Sequence, residues 1–136
     1  MSKCFVDTNV LVYAMDRDSQ YQNWSKIIIE GILPCITSSK NLSEYYAVVT
    51  KGDNPLLSPT EALADLFTFS TLMEVVYPNE ISNQYLTTLI KKHHPRGLLI
   101  HDMEIAAIAL ANGVNTIATI NTKDFHAIEQ LSCLHP

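Results

Sequence analysis

Glycine is scarce in this chain, with four in 136 residues, and neither a Gly-x-Gly-x-x-Gly turn nor a Walker loop is present. Dinucleotide and P-loop nucleotide binding are therefore not expected. The three cysteines, Cys4, Cys35 and Cys133, are an odd number without a Cys-x-x-Cys pair. They read as small buried apolar residues in a reducing cytoplasm, not as zinc ligands or a disulfide framework. The histidines form no His-x-x-x-His pair, and no Ser or Cys nucleophile elbow occurs. No apolar run approaches the ~20 residues of a membrane span. Asp7 interrupts the only apolar stretch near the N-terminus, so a secretory leader is not expected either.

Positive charge is also short. Nine Lys and Arg face fourteen Asp and Glu, a formal net charge of −5. Nucleic-acid binders usually carry basic patches, so this balance argues against RNA or DNA unless the acids gather around cations. Two divalent ions would add four positive charges, and −5 + 4 leaves −1. The cations that exist are unevenly spread: Lys91, Lys92 and Arg96 bracket His93 and His94. That patch reads either as a contact for a nucleic-acid backbone or as a solvated helix end.

What remains is an ordinary globular composition, 47% hydrophobic and 17% charged. Short apolar runs alternate with longer helical patterns and predict a three-layer α/β/α domain with a central parallel sheet, spanning residues 1–136. Strands are expected over 3–6, 34–37, 73–77 and 115–119. Helices are expected from about Asn9, over 21–30, after Ser38 or Ser39, after Ser58-Pro59-Thr60-Glu61 with its capping signature, over the face carrying Ile81, Tyr85, Leu86, Leu89 and Ile90, from Asp102 to Gly113, and over 123–130. The aromatic set Trp24, Tyr45, Tyr46, Phe67 and Phe69 is large for one core, which predicts an exposed apolar surface for a partner helix or a second copy near Glu44.

Ligands of such folds bind beyond the carboxyl ends of the strands, and acids stand at those places. Asp7 follows the first strand, Glu44 lies in the helix after the second, Asp102 opens a helix, and Asp124 follows the strand ending at Thr119. Each has an ordinary alternative: a turn for Asp7, a cap for Asp102, a helix N-terminus for Asp124 and a solvated face for Glu44. Their joint placement is what suggests one pocket.

The stretch Phe5-Val6-Asp7-Thr8-Asn9-Val10-Leu11-Val12-Tyr13-Ala14 resembles the opening motif of PIN domains. Leu42-Ser43-Glu44 is similar to their glutamate-bearing helix. Residues 101–113, His101-Asp102-Met103-Glu104 running into an alanine-rich helix that ends at Gly113, resemble the third motif. Ala118-Thr119-Ile120-Asn121-Thr122-Lys123-Asp124-Phe125 resembles the fourth. These motifs keep the family order across nearly the whole chain, and the length is similar to that of the VapC-like toxins of toxin–antitoxin pairs. The resemblance implies a cytoplasmic ribonuclease that depends on magnesium or manganese. It also implies frequent homodimers and a small antitoxin partner. Asp7, Asp102 and Asp124 would then ligate one or two ions, with Glu44 orienting or bridging through water. Many members carry an acid where Asn121 stands, which leaves the number of ions open. Thr8, Asn9, Thr119 and Asn121 read either as hydrogen-bonding supports of the carboxylates or as turn formers. Lys91, Lys92 and Arg96 are the candidate RNA contacts. The competing class is a non-catalytic metal-binding module resembling a receiver domain, which would want adjacent acids after the first strand; here a single Asp7 is followed by Thr and Asn.

Overall fold

The computed structural model describes residues 2–136. Five parallel strands form one sheet: β1 (Cys4–Val6), β2 (Cys35–Ser38), β3 (Glu74–Val76), β4 (Thr116–Ala118) and β5 (Ser132–Leu134), in the order β3-β2-β1-β4-β5. The six helices are α1 (Thr8–Met15), α2 (Gln22–Ile29), α3 (Ser39–Thr50), α4 (Pro59–Leu72), α5 (Glu80–His93) and α6 (Leu99–Ala111). Among the described residues, no helix is long and apolar enough to cross a membrane.

The strands are so apolar because both faces of the sheet are covered. Alternate side chains of β1 serve opposite layers: Cys4 and Val6 join Val10 and Leu11 of α1 and Tyr45 of α3, whereas Phe5 joins Ile36, Ile117 and the buried side of α6. Helices α1 to α4 cover the first face; α5 and α6 cover the second. Tyr45 and Phe69 sit edge-on with ring centroids 4.9 Å apart, and the Tyr45 hydroxyl donates to Asp65 Oδ2 at 2.6 Å. Of the other aromatics, Trp24 packs partly against this cluster, while Phe67 stays 67% exposed and Tyr46 is also exposed. Cys4 and Cys35 lie opposite each other across β1 and β2, free and buried; Cys133 is free and half-buried.

The start of α4 is set by local chemistry. Ser58 Oγ accepts from the Glu61 backbone at 3.2 Å while Glu61 Oε1 accepts from the Ser58 N–H at 3.0 Å. Ser58→Ala should lower stability by about 1 kcal/mol and the melting temperature by roughly 3–5 °C. An unchanged thermal transition would show that α4 does not depend on this cap.

Most elements fall within a residue of their expected bounds, with two departures. Helix α6 starts at Leu99 instead of Asp102, which lies in its first turn. His94 adopts a left-handed conformation (φ 49°) and Gly97 a second one (φ 58°), so the chain leaves α5, turns and re-enters helix three residues early. The helix expected over 123–130 is replaced by a 3-10 turn (Thr122–Asp124) and further turns closed by three-residue hydrogen bonds at Phe125, Ile128 and Leu131. Phe125 and Ile128, three apart, bury in the core without a longer helix. The chain thereby gains β5, a strand not expected from the sequence.

Candidate active site

Strand β1 lies between β2 and β4, so the chain runs outward in one direction through β3 and in the other through β5. Such a reversal of strand order leaves a crevice at the carboxyl ends of the two central strands. Asp7 stands there, directly after β1 and acting as the N-cap of α1, and Thr119 directly follows β4.

A network of hydrogen bonds holds Asp7. Its Oδ1 accepts from the Thr8 N–H and its Oδ2 from the Thr119 hydroxyl, both at 2.8 Å. Thr119 Oγ1 in turn accepts from Asn9 Nδ2 at 3.3 Å and from the Asn121 N–H at 3.1 Å. Asn9 Oδ1 accepts from the Ile120 N–H at 3.2 Å, clamping the loop after β4 against α1. A second chain serves Glu44. The Thr8 hydroxyl donates to Glu44 Oε2 at 3.2 Å and accepts from Asn41 Nδ2 at 2.9 Å, and Asn41 pairs with the Ser38 hydroxyl. Buried polar groups are expected to be satisfied in this way.

One pocket of about 270 Å³ is lined by Asp7, Thr8, Asn9, Glu44, Leu98, His101, Asp102, Ile105, Asn121 and Asp124. All four candidate acids and three of the four candidate supports therefore meet, and Thr119 lies buried against Asp7. The basic residues do not line it. Lys91 and Lys92 are exposed in the last turn of α5, Lys92 facing Glu129 at 3.5 Å, and Arg96 is exposed in the loop that leads to Leu98.

The electrostatics follow from crowding like charges under partial cover. Burial is the main force raising Asp7 from 3.8 to about 6; bonds from Thr119 and Thr8 pull it down, and the charges of Glu44 and Asp124 push it up. Asp102 also rises to about 6, through burial first and then the charges of Asp124, Asp7 and Glu44, with His101 opposing. Asp7 and Asp102 are thus reluctant to ionise beside the other carboxylates.

A divalent cation would relieve that repulsion, and the donors suit an oxygen-seeking one. No three His, Cys, Asp or Glu side chains among the described residues form a ready-made metal cage. Magnesium favours such a set, a few carboxylates with water and a phosphate completing the shell.

Asn41, Ser38, Leu98 and Ile105 were not anticipated. Only Asn41 carried a signal: it stands three residues before Glu44, on the same side of a helix.

The comparisons with known proteins agree with this fold. No match is found among curated proteins. Among solved structures, the chain is similar to VapBC2 from Rickettsia felis bound to a promoter DNA fragment (TM-score 0.73, 22% identity, 98% of each chain). It is also similar to VapBC-5 from Mycobacterium tuberculosis, a member of the VapBC family of toxin–antitoxin systems (TM-score 0.67, 18% identity, 100% of each chain). A third is Mycobacterium tuberculosis VapC20, a sarcin–ricin loop cleaving toxin (TM-score 0.64, 17% identity, 84% of this chain and 86% of that one). At such identities the likeness establishes the fold alone. A sequence model for the PIN domain matches residues 4–131, covering all four acids, the loop that carries Thr119 and the strands that bring them together, and the chain belongs to the PIN-domain family.

Proposed function

We propose that this chain is a divalent-metal-dependent ribonuclease acting in the cytoplasm as the toxin of a toxin–antitoxin pair. The observation that carries the reading is the meeting of Asp7, Glu44, Asp102 and Asp124 in one pocket at the reversal of strand order. The likeness to VapC20, a sarcin–ricin loop cleaving toxin, supports RNA as the substrate class.

Asp7, Asp102 and Asp124 would hold one or two magnesium or manganese ions, and Glu44 would orient water at their edge. A bound ion supplies water acidification and neutralises charge at the phosphate under attack. The chain's own residues do the rest. Thr119 and the Thr8 N–H fix both oxygens of Asp7, so its carboxylate faces the pocket in one orientation. Thr8, itself braced by Asn41, holds one oxygen of Glu44. Such outer hydrogen bonds set ligand direction and basicity. Asn121 carries an amide at the pocket wall, able to donate to a phosphate oxygen. Lys91, Lys92 and Arg96 would meet the RNA backbone farther along the strand.

The VapBC-5 likeness supports a small antitoxin partner. A groove of about 170 Å³, lined by Val12, Met15, Tyr45, Val49, Leu56 and Leu57 with Asp16 and Arg17, suits an amphipathic partner helix. Exposed Tyr77, Ile81 and Tyr85 support a homodimer contact along α5.

The test is cleavage of total RNA by partner-free protein in magnesium or manganese, with chelator as control. Cutting that chelator stops is the expected result. No cutting by folded protein across varied RNAs would favour a non-catalytic metal-binding module instead.

A further inference from the structure

The acid pocket has a neighbour. A second cleft of about 350 Å³ is lined by Lys40, Glu44, His101 and Ile105, and it shares Glu44, His101 and Ile105 with the acid pocket. The two are lobes of one depression across the carboxyl end of the sheet. Lys40 and Glu44 stand one turn apart on α3, and His101 and Ile105 one turn apart on α6, so the second lobe runs between the two helices.

Its chemistry differs from that of the first lobe. Ile105 is buried and makes an apolar floor, His101 offers a flat exposed ring, and Lys40 carries the positive charge. Lys40 is held in place by an ion pair with Glu104 of α6. An ammonium has three donors, so this pairing leaves two free. A cation, a flat ring and an aliphatic floor beside a phosphate-handling centre are the groups that take an unstacked base and its phosphate.

Resting on the ribonuclease reading, we infer that this second lobe receives the base of the nucleotide next to the scissile phosphate of a single-stranded RNA. The base stacks on His101 above Ile105, and the adjoining phosphate meets Lys40. A base within a duplex stays stacked and cannot reach His101.

The experiment measures binding apart from chemistry. In the Asp102→Asn background with magnesium, fluorescence polarisation reads the affinity for fluorescein-labelled ten-nucleotide single-stranded RNAs and for the same sequences as duplexes. Single strands should bind more tightly than duplexes. His101→Ala should weaken single-strand binding roughly tenfold, and His101→Phe, which keeps a flat ring, should restore most of it. Lys40→Ala should weaken binding and flatten its salt dependence. In the protein with Asp102 intact, His101→Ala should raise KM with little change in kcat. Unchanged binding in folded His101→Ala and Lys40→Ala would overturn the assignment while leaving the ribonuclease reading in place. Loss in His101→Phe as deep as in His101→Ala would overturn the stacking role. A protein that neither cuts nor binds RNA would remove both readings.

Discussion

Asp102→Asn is expected to leave a folded protein that cuts RNA roughly 100-fold more slowly, or not at all. The fold should survive because α6 is anchored by Met103, Ile105, Ala106, Ala107, Ile108 and Ala109, all buried, while Asp102 contributes only its carboxyl to the pocket. Burial and neighbouring charges act on that carboxyl, and no hydrogen bond contributes, so an amide of equal size disturbs no partner. What the substitution removes is a negative donor, so ion affinity and cleavage should fall together. Calorimetric titration with manganese, initial rates on RNA and circular dichroism check the three parts. Cutting that persists in the folded variant would assign the activity to other residues or to a contaminant.

The second large effect is on stability. Asp7 titrates near 6 in the folded protein, against 3.8 as the ordinary value, so the folded state holds this proton more tightly than the unfolded chain does. Stabilisation by the bound proton is present at low pH and lost as pH rises through about 6. Above that, a buried charge disfavours folding by something on the order of 3 kcal/mol. Asp102 pushes in the same direction, weakened by its greater exposure. Metal-free protein should therefore gain from these groups as pH falls from about 7 toward 4. A divalent ion that binds only the folded state should produce its own gain at pH 7.5, near 8 °C in melting temperature when the ion stands at about 100 times its Kd. Asp7→Asn should flatten both dependences, and without metal it should melt above the parent at pH 7.5 if relief of the buried charge outweighs the weakened bond to Thr119. Other carboxylates titrate too, so the difference between parent and variant is the quantity to follow by scanning calorimetry. Equal metal-induced shifts in the two proteins would mean that the ion binds elsewhere.

Much of this architecture was readable in advance because its signals were redundant. Strands covered on both faces read as unbroken apolar runs, and Ser58, Pro59 and Glu61 announce α4 by chemistry that needs no tertiary partner. Asp7, Asp102 and Asp124 each stand at or beside the start of an element, near the carboxyl edge of the sheet, whereas Glu44, in the middle of α3, was marked by its motif. What escaped depended on tertiary context. Phe125 and Ile128 have helical spacing, but a run of three-residue turns serves them equally well, and short, partly exposed β5 is defined by its pairing with β4. The start of α6 escaped because Asp102 resembles a cap, whereas the helix begins with no side-chain cap at all. Asn41 escaped because an amide on a helix is ordinarily solvated; here it is fully buried by its bond to Thr8.

The central place of β1 also dictates when the acid pocket comes into being. As the nascent chain lengthens, Cys4–Val6 can pair early with Cys35–Ser38, but the strand on its other side does not exist until residue 118 has been added. The hydroxyl that holds Asp7 arrives 112 residues after it. At the ordinary pace of roughly 5–20 residues per second, on the order of ten seconds separate the making of Asp7 from that of the Thr119 hydroxyl. A polypeptide stalled or released before β4 lacks Thr119, Asn121 and Asp124 and cannot complete the pocket. The order of strands in the sheet thus ties completion of the pocket to β4 and the turn after it, whatever forms first.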